Sequence, residues 1–307
     1  MRRWLGFALR VLGTGAGLAY IALRVDLDAA KTALGRVPVI SFAAAVALVA
    51  ANVVAGAVRW RVLMRAYGAT AIPPLGRAVY LYFVSFFYNN YLPGAVAGDV
   101  GRGVVTRDAF ATEGATGALA VVLVERALGL FALFALLAVG IASAGGGIDT
   151  HDLWLWTALG CAGSCAIVIG IAAARRIGPR LPSFLATRAA KLPVVHDGRA
   201  FGIAVLLSLA TQALTAGAGW VLLAALAPIG LGASLLVVPL AAATTFLPIT
   251  VGGAGAREAV YVALGGRLFG MLPADALAAS LGFWFAHLAV AGCGGLAQLV
   301  ARRQTRA

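Results

Sequence analysis

The chain is short of charge. Only 11% of its 307 residues are Asp, Glu, Lys or Arg, while 62% are hydrophobic. A soluble domain needs a polar surface that this composition cannot supply. Acids are the scarcer sign, 11 against 24 Lys and Arg, for a formal net charge of +13. In a soluble protein that surplus would point to nucleic acid. Here the basic residues fall mostly in short segments between apolar runs, where they set topology. No aromatic–basic interleaving supports nucleic acid as a partner. Cysteine is nearly missing, and three (Cys161, Cys165, Cys293) exclude a disulfide framework. They read as small packing residues. Metal-ligand clusters and nucleotide-binding loops are also lacking, so no metal and no other cofactor is expected, and no catalytic residue is assigned.

What is abundant is continuous apolar sequence. Runs at 4–23, 38–58, 115–141, 153–174, 201–226 and 275–300 approach or exceed the roughly 20 residues that cross a bilayer as a helix. They are continuous rather than alternating, which excludes a β-barrel. The segments at 59–77, 175–199 and 302–306 are Arg-rich and are placed in the cytoplasm; those at 143–152 and 227–234 lack Lys and Arg and are placed outside. Residues 78–112 must then leave the cytoplasm and return to it, and 235–272 must dip in from outside and return. One crossing cannot do that; a re-entrant hairpin can. The expected fold is an all-α polytopic membrane protein with about six full spans plus two re-entrant broken-helix hairpins, in two inverted-topology repeats. Repeat one covers about 4–142 with hairpin 78–112, repeat two about 153–300 with hairpin 235–272, as a single domain over 1–307. The first loop, with Arg24, Lys31 and Arg36, lies outside against the rule. Both termini are expected in the cytoplasm, and the location is the cell (inner) membrane.

An internal match supports the repeat. Residues 92–102 and 247–257 both read L-P-x-x-x-x-G-x-x-x-R, and Pro93 and Pro248, Gly98 and Gly253, Arg102 and Arg257 coincide at one offset of 155 residues. Pro93 and Pro248 are the expected hinges. Inverted repeats that bring broken helices to the midplane recur in secondary transporters. Lipid cannot satisfy the backbone groups freed at a break, so breaks lie inside protein or beside a wet cavity. Glycines there (Gly94, Gly98, Gly252, Gly253) let the backbone come close to a ligand. Each return arm begins a helix, whose N-terminus favours anions. Arg102 and Arg257 sit on those arms, so a phosphate-bearing head group is the natural ligand.

Asp99 lies three residues before Arg102, Glu258 adjoins Arg257, and Glu125-Arg126 interrupts a span well inside the hydrocarbon core. Buried ionisable groups are functional candidates unless merely paired. Asp99, Glu125, Arg126 and Glu258 are expected to gate the hairpins as ion pairs. The rival reading is a purely structural lattice of these acids and arginines that closes the two hairpins on each other. Asn89 and Asn90 precede the first break and are expected either to coordinate a head group or to cap exposed carbonyls. Gln212 and His287, lone polar residues within spans, more often satisfy a neighbouring helix than bind substrate.

Phe87 through Arg102 (F-Y-N-N-Y-L-P-G-A-V-A-G-D-V-G-R), Glu125-Arg126 and Leu247 through Glu258 (L-P-I-T-V-G-G-A-G-A-R-E) resemble the signature blocks of the lysylphosphatidylglycerol synthase transmembrane-region family, the flippase-like domain proteins. The resemblance covers nearly the whole chain. It departs at Ala97, where another glycine is expected. It implies a bacterial or archaeal integral membrane protein that handles lipids. In its best-known members this domain moves an aminoacylated phospholipid between leaflets and is fused to a soluble aminoacyl-transfer domain. The sequence ends directly after the last span, so that portion is expected to be absent and synthase activity is not inherited. The expectation is a translocase, not an enzyme, for a phospholipid or a polyprenyl-phosphate-linked lipid. The rivals are an intramembrane lipid-modifying enzyme using Asp99 or Glu125, and a non-catalytic subunit of a separately encoded membrane enzyme.

Overall fold

The structure, a computed structural model, describes residues 2–92, 96–144, 151–180, 182–246 and 253–304. Helices occupy the apolar runs, and the few polar residues and prolines between them supply starts and stops. α1 (Arg2–Arg24) leads into the short α2 (Leu27–Gly35). Asp26 caps α2 by accepting from the N–H groups of Asp28 and Ala29 at 2.9 and 3.2 Å. α3 (Val39–Ala66) and α4 (Leu75–Tyr91) start behind Pro38 and Pro74, and α5 (Ala97–Val105) and α6 (Gly114–Ser143) complete the first half. The second half holds α7 (His151–Ile177), α8 (Ser183–Ala190), α9 (Gly198–Ala224), α10 (Leu231–Ser234), α11 (Val238–Ala243), α12 (Ala256–Phe269) and α13 (Pro273–Gln304). No strand occurs among the described residues.

The 155-residue offset lays α1, α2, α3, α5 and α6 over α7, α8, α9, α12 and α13 in turn. The one mismatch is α4. Its counterpart is broken into α10, α11 and a 3₁₀ turn (Thr244–Phe246), with Pro239 in the first turn of α11. Proline there has no N–H to continue a preceding turn.

Five helices are long and apolar enough to span a bilayer: α3, α6, α7, α9 and α13. The sixth expected span, 4–23, falls in α1. That helix has 23 residues but carries Arg2, Arg3, Arg10 and Arg24, and it does not join the five. The chain is a polytopic helical membrane protein.

Contacts sort the loops into two ends. At one end Arg36 pairs with Asp275, Arg267 lies 3.2 Å from Asp152, and Gly140 near the end of α6 lies against Leu235. At the other end Thr70 N–H donates to Ala109 O at 2.9 Å, His196 N–H donates to Ala66 O at 2.8 Å, and Arg175 pairs with Glu113 at 2.6 Å. The hairpin of α4 and α5 therefore leaves and rejoins the second end, and the segment α10–α12 leaves and rejoins the first. Tyr91, the last residue of α4, hydrogen-bonds Leu288 O near the middle of α13 at 3.2 Å, so this arm reaches only halfway along the bundle. The first loop, with Arg36, shares an end with Asp275 and Asp152, as the inverted topology requires.

The core between halves is α3 packed on α9, with Val49, Val53, Ala218 and Leu222 buried together with Phe283 of α13.

Candidate functional site

Where the two hairpins meet lies a cavity of about 510 Å³. Its wall draws on α3 (Asn52, Arg59), α4 (Tyr82, Asn89, Asn90), α5 (Asp99, Arg102), α6 (Glu125, Arg126), α9 (Gln212, Thr215) and α13 (Trp284, His287), with Arg257 from α12. Elements 130 and more residues apart in sequence thus share one chamber, because α3 and α9 pack face to face and both hairpins end against them.

The charged side is a connected lattice. Glu125, 2% exposed, takes Arg59 at 3.0 Å on one oxygen and Arg102 at 2.8 Å on the other, and Tyr82 donates its hydroxyl at 2.9 Å. Asp99 takes Arg102 at 3.2 Å, Arg126 at 2.7 Å and the Ser85 hydroxyl at 2.8 Å. Arg102 is held between aromatic faces, its guanidinium carbon 4.3 Å from the Tyr82 ring centroid and 4.6 Å from that of Trp60. Arg59 adds the hydroxyls of Thr211 at 3.0 Å and Ser208 at 3.4 Å on α9, which ties the lattice to the other half. A charge so deep costs several kcal/mol unless paired, so each carboxylate is bound by two arginines.

The second half repeats the theme with different atoms. Arg257 pairs with Glu258, and Ser280 Oγ lies 3.3 Å from both Arg257 Nε and Glu258 Oε1. Ser280 stands one offset after Glu125, so the same place holds a carboxylate in one half and a hydroxyl in the other. Glu258 compensates from within α12: it also accepts from Gly255 N–H at 2.8 Å and so closes the first turn. All hydrogen bonds of Arg257 and Glu258 stay within this second group among the described residues. The described hydrogen bonds thus form two groups facing one chamber, and Arg126 of the first reaches the second hairpin, its guanidinium carbon 5.7 Å from the Phe246 ring centroid.

Arg102, Arg257, Asn89, Asn90, Asp99, Glu125 and Arg126 all line the cavity. Glu258 stands behind Arg257. Gly98 and Gly253 do not line it; they set the hairpins. A Cβ on Gly98 would sit 1.9 Å from Ser85 O, and Gly253 has φ +82°. Pro93, Gly94, Pro248 and Gly252 lie outside the described residues. Asn89 caps a donor rather than a carbonyl, accepting from Gly98 N–H at 2.9 Å, whereas Asn90 donates to Phe86 O at 2.8 Å. Gln212 and His287 both line the cavity. His287 Nδ1 lies 2.8 Å from Phe283 O, and a carbonyl only accepts, so Nδ1 carries a proton. Arg59 is the residue the sequence reading missed. Its signal was helical phase: Gly56 and Leu63, three and four residues away on the same face, are buried.

The family model described as lysylphosphatidylglycerol synthase TM region matches residues 4–295. No curated protein matches the chain. Since the model covers nearly all of the sequence, the chain belongs to that family.

Proposed function

We propose that this member of the lysylphosphatidylglycerol synthase transmembrane-region family moves a phosphate-bearing amphiphile between leaflets. The observation that carries the reading is a positive surplus in a chamber between opposed half-span hairpins. Four arginines (Arg59, Arg102, Arg126, Arg257) meet three carboxylates (Asp99, Glu125, Glu258). One anionic group balances that account. Arg126 is the most accessible of the four, its side chain 24% exposed. Arg102, at 2%, is enclosed and holds Asp99 and Glu125 in place. The head group engages Arg126 and Arg257, and the tails stay in lipid. The hairpins then open the chamber first to one end and next to the other, which is the alternating access that opposed repeats make possible. Positive-inside counting supports a cell-membrane orientation with both termini on the cytoplasmic side.

The second reading is a lipid-modifying enzyme. It needs Asp99 or Glu125 as a base or nucleophile, and each is bound by two arginines. A subunit role beside a separate enzyme needs no cavity of this kind.

The test is reconstitution into vesicles with a headgroup-labelled phospholipid and an impermeant quencher. Wild type should expose inner-leaflet label, and Arg126→Ala and Arg257→Ala should each slow this about tenfold or more, the value of a charge-assisted hydrogen bond. Translocation at the wild-type rate by Arg257→Ala would sink its assigned role. A new lipid product from labelled lipid would move the case to the enzyme.

A further inference from the structure

Resting on the reading above, we infer that the head group carries an uncharged, hydroxyl-rich substituent on its phosphate rather than a cationic one, and that Gln212 selects it.

Three observations converge. Gln212 is 8% exposed, lines the cavity, and has no hydrogen-bond partner among the described residues. Its amide is not among the sealed, unsatisfied atoms of the interior but opens onto the cavity, so its hydrogen-bonding groups remain available to a ligand there. Its neighbours on that wall are already engaged: Asn52 donates to Thr215 Oγ1 at 3.1 Å, and Thr215 donates to Thr211 O at 3.1 Å. An amide presents a donor and an acceptor together, which matches hydroxyl groups, since each of those does both.

The amide also adjoins the charged side. A Cβ placed on Gly129 would lie 3.2 Å from Gln212 Nε2 and 3.7 Å from Arg59 Nη1. Glycine at 129 thus lets the amide wall and the arginine wall come together with no side chain between them. A phosphodiester on the arginines would set its substituent against Gln212.

The charge balance excludes the cationic alternative. Each carboxylate of the chamber is engaged by arginine: Asp99 and Glu125 by two each, Glu258 by Arg257. A head-group ammonium would find no uncommitted acid and would add to the positive surplus. An aminoacyl ester is therefore a poor fit here, although the family's name invokes one.

The test compares three lipids with identical acyl chains: phosphatidylmethanol, phosphatidylglycerol and lysyl-phosphatidylglycerol. They share the phosphodiester and differ in hydroxyls and charge. Binding to the purified full chain is read by native mass spectrometry. Wild type should bind phosphatidylglycerol about five- to tenfold more tightly than phosphatidylmethanol, the size of one or two neutral hydrogen bonds, and the lysyl lipid most weakly. Gln212→Leu should bring the phosphatidylglycerol-to-phosphatidylmethanol ratio close to one. Gln212→Glu should raise the lysyl lipid relative to phosphatidylglycerol, a gain that misfolding cannot imitate. Equal binding of the two phosphodiesters by wild type, preference for the lysyl lipid, or an unchanged ratio in Gln212→Leu would overturn the inference while leaving the phosphate reading intact. If neither phosphodiester binds, the phosphate reading falls and the inference falls with it.

Discussion

Glu125 shows how much one side chain can carry. It is the shared partner of Arg59 and Arg102; Arg59 pairs with no other carboxylate among the described residues, and Arg102 has Asp99 besides. Glu125→Gln keeps the shape and some hydrogen bonding but leaves two deep cations short of one negative charge. Removing one member of a buried pair costs about 3–5 kcal/mol. The expected outcome is a loss of that order in denaturant unfolding in detergent, partly recovered in the double variant Glu125→Gln/Arg59→Met. Asp108→Asn is the control: Arg107 and Asp108 are 60% and 90% exposed, and such pairs contribute little. No recovery in the double variant would mean that Glu125 acts through packing, not charge. At this scale the sequence showed Glu125 plainly, because an acid inside an apolar run has no bland place to go. It hid Arg59, because a row of arginines after a span (Arg59, Arg61, Arg65) reads as a topology signal. Only Arg59 turns inward; Arg61 reaches Pro73 O at 2.9 Å instead.

Among the elements, the hairpin of α4 and α5 depends on backbone contact. Gly98 brings α5 against Ser85 O so closely that a methyl group would sit 1.9 Å from it. Gly294 does the same for α13 on α4, where a Cβ would lie 2.1 Å from Phe83 O. Backbone cannot swing aside as a side chain can. Gly98→Ala should therefore destabilise by about 1–3 kcal/mol, the usual cost of overpacking, and should also displace Asp99 and so weaken lipid binding. Gly101→Ala, on the same helix with open space around it, should be neutral or slightly stabilising. Thermal unfolding of both variants decides it, and equal melting temperatures would mean the close approach is unnecessary. The helices themselves were legible in the apolar runs, within a few residues of their ends except for α3, which runs eight residues past Val58 to Ala66. The fracture of α10 and α11 was not. Leu235 to Leu247 is apolar but for Thr244 and Thr245, and only Pro239 hints that the arm is not one helix.

For the molecule as a whole, the inverted arrangement followed from counting arginines in loops, and the contacts at the two ends bear it out: Arg36 with Asp275 at one, Arg175 with Glu113 at the other. What loop charge cannot reveal is how the halves differ inside. The exchange of Glu125 for Ser280 at one offset leaves a branched lattice of four ion pairs on one side and a single Arg257–Glu258 pair on the other. That asymmetry is invisible until both helices are placed around the same chamber.

The uneven count of arginines and acids also bears on how tight the membrane remains. A fixed positive charge in a narrow polar chamber repels small cations and excess protons, as arginine constrictions do in other pores. On the translocation proposed above, a large anionic amphiphile would pass without short-circuiting the gradients its host membrane stores. Vesicles containing the wild type should hold an imposed proton gradient as long as empty vesicles do. The variant Arg126→Glu, which reverses the sign at the most accessible position, should make them leak; rapid decay already in the wild type would mean that the arginines are no barrier.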